Sequence, residues 1–274
     1  MRLALFACLA VLLAPAQALA SKCHAFVDRG AGVEIAGIGP LAYTAPKVDI
    51  MFVGHSTYRI ETAGGVVINT DYFGADGPGG VPTVVTMNHA HSTHWTPNPD
   101  PRIEHVLPGW NPDGPNPIEH RVEVGDVLIR NVPTDIRGGF GPSEADGNSI
   151  FVFEVADLCI AHLGHLHHPL DDTDYADLGR IDVLMVPVDG TYTMAVAEMT
   201  EVAKRLKSSI VLPMHYFGQS SLQRFLAGMS EEFRVREHAA EILTVSVESL
   251  PSEPTVLMLE PVQYRQREEL RRAE

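Results

Sequence analysis

The chain is short of cysteine, of cationic side chains and of long apolar runs, and each shortage excludes something. Three cysteines in 274 residues cannot build a disulfide framework. A formal net charge of -15, from 20 Lys and Arg against 35 Asp and Glu, argues against nucleic acid or an anionic membrane surface as the partner. The apolar stretch from Leu3 to Leu13 falls short of the roughly 20 residues that a spanning helix needs. There is no G-x-S-x-G elbow and no phosphate-cradling glycine loop, so serine-hydrolase and nucleotide-binding readings lose their support.

What is present has the balance of a folded globular protein, with 45% hydrophobic and 20% charged residues. The opening "MRLALFACLAVLLAPAQALA" has a cationic start at Arg2, an apolar stretch, and small residues at Ala18 and Ala20 before Ser21. That is the pattern of a secretory signal, with an uncleaved anchor as the competing reading. Residues 1–20 are therefore expected to be a signal peptide, and the mature chain to be secreted or periplasmic, free of the membrane after cleavage. Cys23 and Cys159 remain in it. An oxidising compartment permits a disulfide between them, whereas a free buried thiol is the competing reading for Cys159 in "LCIAHL".

Short runs rich in Val and Ile, separated by Gly, Asp, Asn or Pro, read as strands: "VDIMFVG", "YRIETA", "GVVINTD", "PTVVTM", "DVLIRNV", "SIFVFEV" and "LCIAHL". The Gly-Gly in "ETAGGVVI" predicts a tight hairpin. "TMAVAEMTEVAKRLK" spaces Met194, Val196, Met199, Val202 and Leu206 for one buried helical face, "SSLQRFLAGM" is a second helix, and "QREELRRAE" a terminal one. The Pro- and Asn-rich "PNPDPRIEHVLPGWNPDGPNPIEH" reads as a long loop holding one strand. Strands followed by mixed strands and helices predict a layered α/β or α+β protein.

Of thirteen histidines, eight fall in three places that follow or end an apolar run. They are His89, His91 and His94; His162, His165, His167 and His168; and His215. Imidazole is the commonest metal ligand, and strand ends are where a rigid scaffold presents functional side chains. A lone histidine is more often structural than ligating, but three clusters at three strand ends point to a metal site.

These residues resemble a known family. "HAHSTH" stands where the metallo-β-lactamase superfamily carries His-x-His-x-Asp-His, and the surrounding text is similar to the branch that includes ascorbate-6-phosphate lactonase-like hydrolases. "MFVGHSTYRIETAGGVVINTDYF" resembles that branch's opening, with Asp71 at the acidic position that buttresses the metal loop. "LCIAHLGHLHHPL" resembles its H-x-G-D segment, and "RIDVLMVPVDGTYTM" and "IVLPMHYFG" its final strands. The resemblance implies a four-layer αββα sandwich, the metallo-β-lactamase fold, as a single domain over residues 21–274. It implies metal ligands His89 and His91 at one metal position, and His94 and His215 at a second. Two departures matter: Thr93 replaces the motif's aspartate, and His165 the aspartate that bridges two metals. A site without those carboxylates is expected to hold one Zn2+, or one firmly and a second weakly; another divalent transition metal is the alternative.

The chemistry of such a site can be stated without the family. Neutral imidazoles leave the full charge on the ion, which lowers the pKa of bound water to about 7 and yields a hydroxide nucleophile. Thr93 cannot act as a general base, so His167, His168 or Asp135 would have to move the proton. Tyr192 or Tyr216 could donate to an oxyanion, with packing at the rim as the blander role. The expected function is an exported metal-dependent hydrolase of a small ester, lactone or phosphoester, with His89, His91, His94, His165 and His215 as ligands. The alternative is a non-hydrolytic metal-binding protein for zinc, copper or nickel on the same fold.

Overall fold

A computed structural model describes residues 21–24, 45–137 and 143–262. The expected signal peptide at 1–20 and the expected terminal helix at 266–274 lie outside the described residues. The chain begins with strands β1 (Val48–Gly54), β2 (Thr57–Glu61), β3 (Val67–Asn69), β4 (Val84–Met87) and β5 (His105–Pro108). There follow β6 (Arg121–Val124), β7 (Val127–Ile136), β8 (Glu144–Val155) and β9 (Leu158–His162). Helices and strands then alternate as α1 (Asp172–Leu178), β10 (Val183–Pro187), α2 (Val196–Leu206), β11 (Ile210–Met214) and α3 (Gln219–Met229). β12 (Arg234–His238), β13 (Ile242–Val245), a short 3-10 turn (Val247–Ser249) and β14 (Thr255–Leu259) complete the described elements.

Two mixed sheets result, one ordered β13-β1-β2-β3-β4-β5 and the other β12-β14-β11-β10-β9-β8-β7-β6. Alternation along each strand decides what faces what. Val48, Ile50, Phe52 and Ile60 of the first sheet meet Phe151, Phe153, Ile160, Met185 and Leu212 of the second in one buried cluster. Val152, Ala161, Leu184 and Val211 point to the opposite face and are covered by Leu178 of α1, Met199 and Val202 of α2, and Leu222 and Phe225 of α3. On the outer face of the smaller sheet, Val85 and Met87 pack against Tyr72 and Ile103, with Trp95 and Trp110 beside them. This is the expected sandwich. Among the described residues its helices lie on the larger sheet, and loop side chains cover the smaller one.

The expected hairpin joins β2 to β3, closed by Thr62 and Val66 through a 2.9 Å backbone bond, with Gly65 at φ 84 where a side chain would be strained. The strand inside the long loop is β5, which extends the smaller sheet in parallel beside β4. β9, β10 and β11 are mutually parallel, so their C-terminal ends share one edge. Helical crossovers between parallel strands bring those ends together, and ligand sites in such sheets collect there.

Cys23 and Cys159 form a disulfide across a sequence separation of 136 residues, with Cα atoms 5.9 Å apart. It ties the start of the described chain to β9 in the middle of the larger sheet. Replacing both cysteines by alanine is expected to lower unfolding stability by about 2–4 kcal/mol, because a long loop is no longer closed in the unfolded chain. Urea denaturation of the oxidised protein and the double variant measures this; equal midpoints would show the bridge to be dispensable.

Candidate metal centre

Six loops meet at the shared strand edge. The turn between β1 and β2 carries His55 and Ser56, and Asp71 follows β3. His91 and His94 lie in the loop after β4, His165 and His167 after β9, Asp189 after β10, and His215 directly after β11. His55, Asp71 and His215 all have positive φ, at 54, 44 and 52. Three non-glycine residues in this sparsely populated region mark sharp corners that aim side chains into one place.

The result is a compact imidazole cluster. One nitrogen from each of His91, His94, His165 and His215 lies within 4.8 Å of the others. His94 and His215 are fully buried, His165 nearly so, and His91 half-buried. The Nε2 atoms of His94 and His215 are 3.0 Å apart, and those of His91 and His165 3.1 Å. Nitrogens bound to one tetrahedral zinc ion sit roughly 3.3 Å apart, so the spacing is close to what an ion requires.

Two carboxylates set the chemistry of this cluster. Asp71 Oδ2 is 2.6 Å from His94 Nδ1, both side chains at 0% exposure, and Asn88 donates to Asp71 Oδ1 at 2.8 Å. Burial pushes the Asp71 carboxyl up, but the neighbouring His94 and His162 rings and the hydrogen bonds from His94 and Asn88 outweigh it and hold it below the usual carboxylate range. Asp189 Oδ1 is 3.0 Å from His215 Nδ1, and its other oxygen accepts the backbone N–H groups of Thr191 and Tyr192 at 2.7 and 2.5 Å. Burial raises this carboxyl also, and the hydrogen bonds from His215, Thr193 and Thr191 carry it well below the ordinary value.

Both groups are therefore carboxylates and can only accept. Each must take a proton from the Nδ1 of its histidine, and in a neutral ring that leaves a bare lone pair on Nε2. Two buried lone pairs 3.0 Å apart repel unless a cation or a shared proton lies with them. This donor set fits a divalent ion. His162, buried within β9, braces the site from behind: its Nε2 donates to Ser56 O at 2.8 Å, and the Ser56 hydroxyl lies 3.2 Å from His94 Nδ1.

Thr93 joins two imidazoles, with Oγ1 2.7 Å from His91 Nδ1 and 2.9 Å from His55 Nε2. It therefore aims His91 by a hydrogen bond. Burial, with the neighbouring His94 and His215, pushes the His91 imidazole down to about 4. Burial and His215 push His55 down to about 3, so both rings are neutral at pH 7.

His89 is outside the cluster: its Nδ1 is 2.6 Å from Glu144 Oε1, and its ring stacks on Trp110 with centroids 4.8 Å apart. His167 is buried behind His165, with Nε2 2.5 Å from His165 Nδ1 and Nδ1 accepting from the Arg137 N–H at 2.8 Å. His168 is exposed, and Asp135, on β7, accepts the Asp146 N–H at 3.0 Å. Glu144 and the Arg137 backbone carry no motif. They enter the site through the β7–β8 pairing, which no local pattern announces.

Tyr192 and Phe217 stand at the mouth, about 60% exposed, with ring centroids 5.5 Å apart. They lie 6.2 Å from His91 and 5.3 Å from His215 respectively. A cavity of about 250 Å³ lined by Phe52, His55, His215, Tyr216 and Phe217 opens beside them.

Residues 49–215 match the family described as Beta-lactamase superfamily domain. The chain is 27% identical over 190 residues to a UPF0173 metal-dependent hydrolase from Pyrococcus horikoshii, covering 62% of this chain and 84% of that protein. A crystal structure from Thermotoga maritima, assigned as a Zn-dependent hydrolase of the metallo-beta-lactamase superfamily, shares 29% identity at a TM-score of 0.56, covering 78% of this chain and 98% of that one. A protein from Parabacteroides distasonis, assigned as a metal-dependent hydrolase, shares the fold at 17% identity and a TM-score of 0.51, over 68% of this chain and 90% of that one.

Proposed function

Since the chain belongs to the Beta-lactamase superfamily domain family, matched over residues 49–215, we propose that it is an exported zinc-dependent hydrolase of a small ester, lactone or phosphoester. The observation that carries this reading is the 3.0 Å approach of the buried His94 and His215 Nε2 atoms, each ring held at Nδ1 by its own carboxylate. His94, His215 and His91 would hold the ion. The carboxylates Asp71 and Asp189 act through the first two rings, and Thr93 through the third. One ion rather than two is favoured because Thr93 and His165 stand where a second ion would need carboxylates, while Glu144 is engaged by His89.

When bound, zinc lowers the pKa of a water toward 7 and polarises a carbonyl or phosphoryl oxygen. The chain supplies the rest. Neutral imidazoles leave the charge of the ion unscreened, and the apolar rim of Tyr192 and Phe217 favours a substrate with a hydrocarbon part beside its reacting group. The net charge of -15 supports a small molecule over nucleic acid as the substrate. The Cys23–Cys159 bridge supports an oxidising compartment, in keeping with the signal-like opening of the sequence.

Elemental mass spectrometry of protein purified without added metal, coupled to an ester, lactone and phosphoester screen, tests the proposal. About one zinc per chain and turnover that a chelator removes and zinc restores is the expected result. Tightly held copper or nickel with no turnover on any of the three classes would favour the non-hydrolytic metal-binding alternative.

A further inference from the structure

We propose that His165 is not a metal ligand but a hydrogen-bond donor, its Nε2–H held toward the metal pocket by a relay that begins at the backbone N–H of Arg137. The inference deepens the metal-site reading and rests on it for its consequence, though not for its geometry. Among the four clustered imidazoles His165 differs in what lies behind it. His94 and His215 have a carboxylate at Nδ1. His165 has another imidazole, the Nε2 of His167 at 2.5 Å.

The direction of that contact is decided one residue further back. A backbone N–H has no choice of role, and that of Arg137 points at His167 Nδ1 from 2.8 Å. His167 Nδ1 must accept. A ring whose Nδ1 accepts is neutral and carries its one proton on Nε2. That proton is donated to His165 Nδ1. With its Nδ1 accepting, His165 is a neutral ring also. Its own proton must then sit on Nε2, the atom 3.1 Å from His91 Nε2.

The rest of the relay agrees in direction. His91 Nε2 can accept from His165 only if its proton is on Nδ1, which faces Thr93 Oγ1 at 2.7 Å. The Thr93 hydroxyl can then donate to His55 Nε2 at 2.9 Å. Reversing His167, His165 or His91 sets two donors or two acceptors against each other. The backbone fixes the position as well: His165 N donates to Asn148 Oδ1 at 2.7 Å, and Gly164 turns at φ 60 where a Cβ would meet Asn148 and Asn88 side-chain atoms at 2.4 Å.

A neutral imidazole with its proton on Nε2 has no lone pair there for an ion. With the His91 lone pair committed to zinc, the His165 N–H is left to donate to an oxygen in the pocket: a carbonyl, phosphoryl or carboxylate oxygen of the substrate or product. The polarity of the position is thus reversed, from an acceptor carboxylate in the motif to a donor in this chain. Such a donor is most effective toward an oxygen that gains negative charge.

The first test needs no metal. Long-range proton–nitrogen correlation spectra of metal-free, 15N-histidine-labelled protein are expected to place the His165 proton on Nε2 and those of His94 and His215 on Nδ1. A His165 proton on Nδ1 would overturn the inference, even if the protein binds zinc as proposed. The second is a Zn2+ titration, where His165→Ala and His165→Gln are expected to stay within about 5-fold of the parent affinity while His94→Ala weakens it at least about 100-fold. Losses at His165 equal to those of His94→Ala, in variants whose far-ultraviolet spectra match the parent, would also overturn it. Should the parent take up no Zn2+, the metal reading fails and the tautomer spectra still decide the role of His165.

Discussion

Alanine at His94 or at His215 is expected to reduce bound zinc from about one per chain to near zero and to lower hydrolysis by at least about 10³-fold, or about 4 kcal/mol of transition-state stabilisation. The two rings are equivalent in design. Each is fully buried, each gives its Nδ1 proton to a carboxylate, and each directs its lone pair at the other across 3.0 Å. Removing one leaves a buried carboxylate short of one donor, so stability should fall as well, by about 1–3 kcal/mol. Glutamine in place of His215 would separate the effects, since it can still donate toward Asp189 but places no second nitrogen lone pair in the pocket. Metal content measured beside thermal unfolding distinguishes them: lost zinc with an unchanged melting temperature means ligation, whereas full zinc content in His94→Ala would remove His94 from the ligand set.

The sequence discloses this centre unevenly, for physical reasons. Strand ends are local events, marked where a run such as "PTVVTM" or "IVLPM" gives way to polar residues, so the loops that carry His91, His94, His165 and His215 are readable in advance. What each imidazole does at its loop is a non-local matter. His89 and His91 are two residues apart and look equivalent in "HAHSTH", yet Glu144 and Trp110 draw His89 away while Thr93 and His165 hold His91 in the cluster. The same holds for protons. Asp189 lies 26 residues before His215 and Arg137 lies 30 residues before His167, and these partners decide which ring nitrogen is bare. Thr93 reads as a lost carboxylate, but in the fold it positions His91. The fold itself is more legible than the site, because the runs that hold Phe52, Ile60, Phe153 and Ile160 are short, apolar and bounded by turn residues, a local signal that needs no distant partner.

Asp71→Asn is expected to weaken zinc binding by about 10–100-fold in a protein that still folds, although the substitution barely changes the volume of the side chain. The reason is the fixed polarity around that carboxylate. One oxygen accepts from His94 Nδ1 at 2.6 Å and the other from Asn88 Nδ2 at 2.8 Å. Asn88 cannot reverse its amide, since its own oxygen accepts the backbone N–H of Ser149 at 2.7 Å. An amide at position 71 has one acceptor and one donor where two acceptors are needed. If its NH2 faces Asn88, two donors meet in a fully buried place, at a cost of about 1–3 kcal/mol. If its NH2 faces His94, the ring can accept only by moving its proton to Nε2, and the lone pair that should hold the ion is gone. Either arrangement costs the site something, and the second also predicts a visible change: the His94 proton moves from Nδ1 to Nε2 in nitrogen spectra of the metal-free variant. Asp71→Ala, by contrast, leaves His94 free to keep either tautomer and should lose more stability than Asp71→Asn. Parent-like zinc affinity in Asp71→Asn would mean that His94 is held by packing alone and that the buried carboxylate has no part in directing its lone pair.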